Sequence, residues 1–434
     1  MTQVKAPAAI LALPALLLLT AALASPAPPP VPAPLLLAGA RVLDPDGERL
    51  LDRQDVLIEG GRISRIAAAG AIQVPPGAQR IDLSGLALVP GLIDLHSHLL
   101  LHPYNETSWD DQILKEPLEL RTIRGVVAAR ATLEAGFTTI RDLGTEGAGF
   151  ADVALRDAIA SGLIPGPRVF ASTRALVATG SYGPAGFDPR WDIPKGAQVV
   201  DGPDVMRRAV REQIAAGADW IKVYADYRRR PGGPSTPTFS PEELAAAVDE
   251  ARSAGLSVAS HANTEEGIRR SVLAGVATIE HGSGATGELL ALMKRKGVAL
   301  VPTLAASEAI SRYAGWQPGE PEPPRVRDAR QMFARALKSG VTIANGSDVG
   351  VFAHGENARE LKLMVAYGMS PKEALRAATA TAAAVLRQDK DLGRIAPGCL
   401  ADLVAVRGNP LEDISILEKP LLVLKGGQIA VDRR

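Results

Sequence analysis

The chain has 434 residues, of which 46% are hydrophobic, and its 48 basic residues balance its 48 acidic residues. This size and composition indicate a globular protein with one large and one smaller domain, and the balanced charge argues against nucleic acid or an anionic membrane surface as a partner. Because Cys399 is the sole cysteine, an intrachain disulfide and a cysteine-based metal cluster are excluded.

The N-terminal residues have the pattern of an export signal. Lys5 precedes an apolar stretch from Ala8 to Leu23, which ends in the small residues that a signal peptidase needs. An uncleaved membrane anchor is the alternative, but the stretch is short for a membrane span and Pro14 interrupts it. We therefore expect residues 1–24 to be a cleaved signal peptide of a periplasmic or secreted protein. The proline-rich residues 25–34 are typical of an extended linker.

Residues 35–89 and residues 398–434 have the same sequence pattern, in which short segments of alternating residues are separated by Asp-Gly and Gly-Gly turns. The first of these segments predicts a small antiparallel unit. Because the second segment has the same pattern, we predict that the two ends of the chain form one β-sandwich beside the main domain.

The main domain is predicted over residues 90–397, where Val- and Ile-rich runs alternate with longer stretches of helical period. This pattern is typical of repeated βα units and a parallel sheet. The helix predicted over 241–255, for example, follows the N-cap Ser240 and ends at Gly255. Predicted strands begin at residues 91, 137, 167, 219, 256, 278, 299 and 342. Eight strands over about 250 residues favour the α/β class and a (β/α)8 TIM barrel over an open doubly wound sheet.

Polar residues with metal-ligand chemistry fall at the ends of these predicted strands. They are His96 and His98 on the first strand, Lys222 within the fourth, His261 on the fifth, His281 on the sixth and Asp348 on the eighth. In a barrel these ends converge on one mouth, where the active sites of the fold lie. His96 and His98 are two residues apart, so both side chains point to the same face of their strand.

The chemistry of these residue types leaves more than one interpretation open. Two histidines on one strand are also typical of a hydrogen-bonded pair in a core, so the motif alone is weak. Several neutral imidazoles with a carboxylate suit zinc or another borderline divalent ion. Lys222 fits poorly, because a protonated lysine only donates hydrogen bonds and repels metal ions. A salt-bridged or snorkelling lysine is the alternative interpretation.

Taken together, the motifs resemble the amidohydrolase superfamily of urease-like, metal-dependent hydrolases. The resemblance covers residues 35–434 and rests on the ordered motifs LVPGLIDLHSH, DWIKVYA, SVASHANTEEG, VATIEHG, ANGSDVG and LGRIAPGCLADLVAV. Within the superfamily, the chain is most similar to the imidazolonepropionase-like and prolidase-like branch, which includes bacterial amidohydrolases that hydrolyse ochratoxin A.

The resemblance implies a binuclear metal centre, with zinc as the expected metal. By motif, it assigns the metal ligands as His96, His98 and Asp348 for the more buried ion, His261 and His281 for the second ion, and Lys222, carboxylated by carbon dioxide, as the bridge. Carboxylation turns the lysine into an anion, which removes the objection to it. The implied mechanism is attack of a metal-bridging hydroxide on the amide carbonyl, with Asp348 carrying the proton to the leaving amine.

The implied substrates are N-acyl amino acids or dipeptides, including ochratoxin A, which would yield ochratoxin alpha and Phe. Prolidase-like relatives often have Thr-Gly-Gly-His after the third strand, whereas this chain has ATGSYGPAG with Tyr182 near the histidine position. That departure argues against a simple Xaa-Pro dipeptidase. Tyr182, Tyr224 and His354 are candidate substrate contacts because each lies in a predicted loop or strand end at the mouth. Barrel filling for Tyr224 and solvated loop positions for the other two are the alternatives.

Residues 226–239 are expected to form a mobile lid after the fourth strand. Its three arginines could bind a carboxylate or face water, and water is the favoured interpretation. The resemblance also implies a homo-oligomer, with no membrane partner after signal cleavage.

Three other functions are weighed against the same residues. Mononuclear deaminases of the superfamily carry a glutamate three residues after the fifth-strand histidine, where this chain has Thr264. Imidazolonepropionase proper is typically mononuclear and lacks the bridging lysine, so Lys222 argues against that enzyme. A hydrolase of a cyclic amide or lactone stays the alternative. A catalytically silent binding protein is least favoured, because such proteins usually lose metal ligands and all six positions are filled here.

Overall fold

The computed structural model describes residues 2–3, 33–188, 190–230 and 232–434. The predicted signal peptide, apart from residues 2–3, and residues 25–32 of the predicted linker lie outside the described residues. Across the described part of the chain, no helix combines the length and the apolar character that a membrane span needs.

The protein is a mixed α/β structure. In the described residues the strands, numbered β1 to β19 in chain order, are Leu35–Leu43, Leu50–Glu59, Arg62–Ala68, Gln79–Asp82, Leu86–Pro90, Leu92–Ser97, Phe137–Asp142, Arg168–Ala171, Leu176–Val177, Gln198–Val199, Trp220–Tyr224, Asp226–Arg228, Ser235–Pro237, Ser257–Ala262, Thr278–His281, Ala299–Val301, Leu403–Arg407, Leu422–Lys425 and Gln428–Asp432. The helices, α1 to α12, are Trp109–Lys115, Leu118–Glu134, Ala151–Ala160, Pro203–Ala215, Pro241–Ser253, Glu265–Ala274, Gly287–Lys296, Leu304–Tyr313, Pro324–Ser339, Arg359–Ala366, Pro371–Ala377 and Ala380–Val385. A short 3-10 helix spans Ile414–Glu418.

Strands from both ends of the chain form one eight-stranded sheet, so the two ends come together, while the β-sandwich stays a prediction. The order of this sheet is β19-β18-β17-β5-β1-β2-β3, and β4 pairs with β1. The two ends meet where β17 runs antiparallel to β5. The expectation of a purely antiparallel N-terminal unit is wrong, because β1 runs parallel to both β4 and β5. The connection after β3 returns the chain to the start of β1, where the Gln79 N–H donates to the Pro34 carbonyl (2.9 Å).

Two Gly-Gly turns hold the ends of the chain together. Gly61 follows β2, and Gly426 and Gly427 connect β18 to β19. A Cβ on Gly61 would lie 2.8 Å from the Gly426 carbonyl oxygen, so only glycine permits this approach. Gly61 also has φ +77°, a left-handed conformation that favours glycine.

Parallel strands make up the rest of the framework. β6, β7 and β8 form one parallel sheet, and β10-β9-β11-β14-β15-β16 form a second one. The Asp219 N–H donates to the Ala171 carbonyl (2.7 Å), which joins the end of β8 to the start of β11. The βα units predicted from the sequence are therefore present in the predicted order.

The segment 342–349 closes the other side of this arrangement. The Leu300 N–H of β16 donates to the Thr342 carbonyl (2.8 Å), and the Asp348 N–H donates to the His96 carbonyl of β6 (2.7 Å). A path of backbone hydrogen bonds therefore leads from β6 through the parallel strands back to β6. The segment makes isolated parallel bridges instead of the regular strand that its sequence predicts. Asp348 has φ +62°, which departs from strand geometry.

The helices bury one face against the strands. In α5, the N-cap Ser240 and Glu243 form a capping box, and Gly255 follows the helix with φ +76°, as predicted. Leu244, Val248 and Ala251 of this helix belong to the largest hydrophobic cluster, which also contains residues of β11, β14 and β15. This spacing of three and four residues is the apolar stripe of a surface helix.

Candidate active site

A cavity of about 570 Å³ lies at the carboxyl ends of the parallel strands. Its lining includes five of the six predicted metal ligands: His96, His98, His261, His281 and Asp348. A second cavity of about 390 Å³ is lined by the amino-terminal ends of β14 and β16 and contains no histidine or carboxylate. Of these two cavities, only the first therefore offers groups for acid–base and metal chemistry.

The floor of the cavity contains a compact group of three ligand-type side chains. Nε2 of His96 and Nε2 of His98 lie 3.5 and 3.3 Å from the same oxygen, Oδ1 of Asp348. One ligand atom from each of the three residues lies within 4.8 Å of the others. His96 and His98 are only 1% and 4% exposed, so protein covers almost all of both side chains. β6 and the segment 342–349, which are distant in sequence, thus build one site.

A fully buried ion pair orients His96. Oε2 of Glu280 accepts a hydrogen bond from Nδ1 of His96 (2.8 Å), while Oε1 of Glu280 pairs with the guanidinium of Arg141 (2.9 Å). The guanidinium also stacks over Trp220, 4.4 Å from the ring centroid. With Nδ1 engaged, Nε2 of His96 faces Asp348. An imidazole whose other nitrogen is held by a carboxylate or a carbonyl is typical of a metal ligand.

His98 and His281 are anchored in the same way. Nδ1 of His98 donates to the Gly144 carbonyl (2.9 Å), and Nδ1 of His281 hydrogen bonds with the Thr303 hydroxyl (2.6 Å). His281 also has φ +68°, a left-handed conformation that is strained for a residue with a Cβ. Both rings thus keep Nε2 for a ligand in the cavity.

The second predicted pair of ligands lies beside the first. The ring centroids of His261 and His281 are 4.5 Å apart, and those of His96 and His281 are 5.1 Å apart. Nε2 of His261 lies 3.1 Å from the amide nitrogen of Asn263. His261 and His281 are outside the compact group of three, which is the only such group among the described residues.

Lys222 lies in the middle of β11 and is fully buried. Within the described part of the chain, its Nζ has no hydrogen-bond partner. Burial lowers the pKa of Lys222 to about 8. A buried ammonium group without partners is costly, and a lowered pKa increases the fraction of neutral, nucleophilic amine. The environment of this amine thus fits a lysine that is converted into an anion by carbon dioxide.

The electrostatics of the floor favour neutral imidazoles around an ionised carboxylate. Burial lowers the pKa of His96 and His261 well below the ordinary value, and lowers that of His281 to about 4. For His98, burial also acts to lower the pKa, but the hydrogen bond and charge of Asp348 raise it to about 9. Burial alone would raise the pKa of Asp348, but the electrostatic interaction with His96 and the hydrogen bond and charge of His98 hold it far below the usual range. Metal binding requires these protonation states, except at His98, where it must release a proton.

Aromatic side chains form one wall of the cavity, which we call the tyrosine wall: Tyr182, Tyr224 and Tyr227. The ring centroid of Tyr182 lies 4.5 Å from that of Tyr224 and 5.0 Å from that of Tyr227. Tyr224 also stacks on His261 at 4.5 Å. Two of the predicted substrate contacts, Tyr182 and Tyr224, therefore line the cavity next to a predicted metal ligand.

Glu146 is a cavity residue that the sequence analysis missed. Its Oε2 accepts hydrogen bonds from Nε1 of Trp109 (3.0 Å) and from the Tyr182 hydroxyl. Its Oε1 is buried without a hydrogen-bond partner among the described residues and lies 4.0 Å from Nδ1 of His98. Glu146 follows β7 in a left-handed conformation (φ +50°), which no sequence pattern reveals. The sequence did offer one indication of this role, because Glu146 is an acidic residue in the loop after a predicted parallel strand.

The prediction for His354 needs correction. Its ring does not line the cavity, because Nε2 hydrogen bonds with the backbone carbonyls of His98 and Leu101 (3.2 Å each). Nδ1 lies 3.3 Å from the Thr132 hydroxyl. Burial lowers the pKa of His354 to about 4. These contacts support the chain segment that carries His98 and leave no ring nitrogen for a substrate.

The segment predicted as a lid, residues 226–239, contains the antiparallel hairpin of β12 and β13. Its arginines are exposed, as expected. Arg228 nevertheless lines the cavity, together with Arg325 at the start of α9, which the sequence analysis did not identify. The rim of the cavity therefore carries positive charge from two separate elements.

Comparisons with known proteins agree with this geometry. Residues 87–430 match the amidohydrolase family. An ochratoxinase of Aspergillus niger is 34% identical over 375 residues, which cover 79% of this chain and 75% of that protein. The solved structure of a Xaa-Pro dipeptidase with methionine bound in its active site is 34% identical, with a TM-score of 0.81 over 92% of this chain and 99% of that one. An imidazolonepropionase of Salinispora tropica is 28% identical over 373 residues, covering 80% of this chain and 84% of that protein.

Proposed function

This chain belongs to the amidohydrolase family, whose members are metal-dependent, and is a hydrolase that acts on amide bonds; we propose that it cleaves N-acyl amino acids or dipeptides. The proposal rests above all on the convergence of His96, His98, His261, His281 and Asp348 on one cavity. We further propose that the parallel strands form a (β/α)8 barrel over residues 90–397, and that residues 35–89 and 398–434 form the β-sandwich. Export and a homo-oligomeric state are parts of the same proposal.

The residues of the floor fit a centre of two divalent metal ions, with zinc as the proposed metal. Imidazole and carboxylate donors suit zinc, and the orphaned amine of Lys222 suits a carboxylated bridge. One ion would be held by His96, His98 and Asp348, and the other by His261 and His281. Carboxylated Lys222 would bind both ions. Bound metal ions would lower the pKa of water and polarise the amide carbonyl.

Asp348 is the proposed proton carrier of the reaction. Its carboxylate is kept ionised at the cavity floor by the neighbouring imidazoles, so it can accept the proton of the attacking water. It then returns that proton to the leaving amine, which departs as a neutral group. A carboxylate that is ionised in the resting site and protonated only between these two steps can perform this transfer without a serine or cysteine nucleophile.

The tyrosine wall is the proposed binding surface for the substrate. Its rings offer apolar faces on which an aromatic acyl group or side chain can pack. Glu146 fixes the Tyr182 ring through its hydroxyl and thereby keeps this surface in place. Ochratoxin A, which joins an aromatic acyl group to Phe through an amide, fits such a surface, and an ochratoxinase is among the relatives.

A hydrolysis screen tests the proposal. The purified, zinc-loaded protein should release the free amino acid from ochratoxin A, from N-acyl amino acids or from dipeptides, as measured by chromatography of the products. Xaa-Pro dipeptides, lactones and cyclic amides belong in the same screen. Ring opening of a lactone or cyclic amide without cleavage of any linear amide would overturn the proposal in favour of the alternative function.

A variant of Lys222 tests the bridging role separately. Lys222→Ala should lose most activity and part of the bound metal, and a short carboxylic acid such as propionate should restore some of both. Lys115→Ala, which removes an exposed lysine of α1, is the matched control and should leave both unchanged. Unchanged turnover in Lys222→Ala would show that the lysine is structural.

A further inference from the structure

Two arginines on the rim of the cavity have no acidic partner among the residues that the structure describes. Arg228 ends β12, and Arg325 is the second residue of α9, so two distant segments bring them to one opening. Across the described residues, neither guanidinium takes part in an ion pair or a side-chain hydrogen bond. By contrast, their neighbours Arg229 and Arg327 each have a partner, since Arg229 donates to the Pro237 carbonyl (3.0 Å) and Arg327 pairs with Asp328.

The position of Arg325 is unfavourable for the folded chain alone. The first turn of a helix carries the positive end of the helix dipole and favours acidic residues, but α9 has none there. Arg325 is exposed at the rim, but partial burial beside the cavity lowers its pKa, and the charge of Arg228 lowers it further. The two guanidiniums therefore repel each other, and no acidic side chain of the described residues forms an ion pair with either of them.

The remaining groups of the rim leave this positive charge in place. Asp328 lies one turn further along α9 and also lines the cavity, but its carboxylate is 3.4 Å from Nε of Arg327. Tyr227, which precedes Arg228, contributes an uncharged ring to the tyrosine wall. An anion that enters the cavity thus meets two guanidiniums and the N-terminal end of a helix.

We propose that Arg228 and Arg325 together bind the free carboxylate of the amino-acid part of the substrate. A guanidinium matches a carboxylate in shape and can donate two parallel hydrogen bonds to it. The inference deepens the proposed function and rests on it, because N-acyl amino acids and dipeptides both end in such a carboxylate. Arg228 and Arg325 are thus specificity-determining residues that hold one end of the substrate while the amide reaches the floor.

Kinetics with a matched pair of probes test this assignment. N-benzoyl-L-phenylalanine carries the carboxylate, and N-benzoyl-L-phenylalaninamide lacks it while keeping the same scissile amide. In Arg228→Gln and Arg325→Gln, the KM for the acid should rise at least about tenfold, since a hydrogen bond to a charged group is lost, while kcat changes little. The KM for the amide should stay unchanged. Arg229→Gln, on the same hairpin, is the control and should behave like the parent protein.

A binding measurement separates this inference from the proposed function. Calorimetric titration of the zinc-loaded parent with L-phenylalanine and L-phenylalaninamide reports carboxylate recognition without any cleavage. Tighter binding of the acid, lost in the Arg228→Gln/Arg325→Gln double variant, supports the carboxylate site even where neither benzoyl probe is cleaved. The inference would be overturned if the double variant lost affinity equally for L-phenylalanine and L-phenylalaninamide. It would also be overturned if the double variant still bound the acid more tightly than the amide. Absence of cleavage alone would count against the proposed substrate class only.

Discussion

The floor and the rim of the same cavity are built in opposite ways. On the floor, His96 and His98 are almost fully buried, and each has one ring nitrogen held by a fixed acceptor. On the rim, Arg228 and Arg325 are exposed and unpaired within the described residues. Buried, anchored groups suit a reaction that needs fixed geometry, whereas exposed, unpaired charges suit the recognition of a ligand that comes and goes. The difference indicates that the floor of the cavity performs the chemistry and the rim selects the substrate.

The largest effect is expected from the carboxylate of the floor. Asp348→Asn should lower kcat about 10²–10⁴-fold, because the amide cannot accept the proton in hydrolysis. Circular dichroism should show an intact fold. Asp328→Asn removes a carboxylate from the rim of the same cavity and should change kcat far less. A similar loss of kcat in both variants would contradict this division between floor and rim.

The buried ion pair behind His96 should dominate the stability of the floor. Arg141→Leu leaves the Glu280 carboxylate buried without its partner, so the free energy of unfolding should fall by about 3–5 kcal/mol in urea titrations. The double variant Arg141→Leu/Glu280→Leu removes both charges and should be less destabilised than the single variant. If the double variant is the less stable one, the unpaired carboxylate is not the cause.

Glu280 should tune the binding of metal without contacting it. Glu280→Gln weakens the acceptor that orients His96, so the affinity for zinc should fall about 10–100-fold in competition with a chelator. Glu308→Gln changes a carboxylate that pairs with Arg312 and Arg359 and lies outside the cavity lining, so it should keep the parent affinity. An unchanged affinity in Glu280→Gln would show that His96 needs no such support.

The smallest effect is expected from the tyrosine wall. Tyr182→Phe keeps the ring but removes the hydroxyl that donates to Glu146, so the ring loses one of the contacts that hold it in place. We expect the KM for ochratoxin A to rise severalfold while kcat stays within a factor of about two. Tyr313→Phe, at the end of α8 and outside the cavity lining, is the matched control. If kcat falls by a larger factor than KM rises, Tyr182 acts in the chemical step and not only in substrate binding.

The sequence predicted the floor far better than the rim, for physical reasons. Parallel strands place their carboxyl ends together, so the order of strands is enough to group His96, His261 and His281. Even there, the irregular path of residues 342–349 and the left-handed conformation of Asp348 were not predicted, because they depend on packing against β6 and β16.

The rim depends on loops and helix ends whose positions no periodicity encodes. Glu146 and Arg325 reach the cavity only through the tertiary arrangement, and the prediction for His354 failed because its ring turns to backbone carbonyls behind His98. The N-terminal antiparallel unit was predicted wrongly for a related reason. Alternation of residues identifies strands, but the direction in which β4 returns to β1 is set by the connection between them.

The metal content of active, purified protein tests the central claim most directly. Elemental analysis should find about two zinc ions per chain. The content should fall in His96→Ala, together with activity. His102→Ala, which removes a buried histidine paired with Glu116 outside the cavity lining, should keep the parent content. Fully active protein with no more than trace metal would contradict the account.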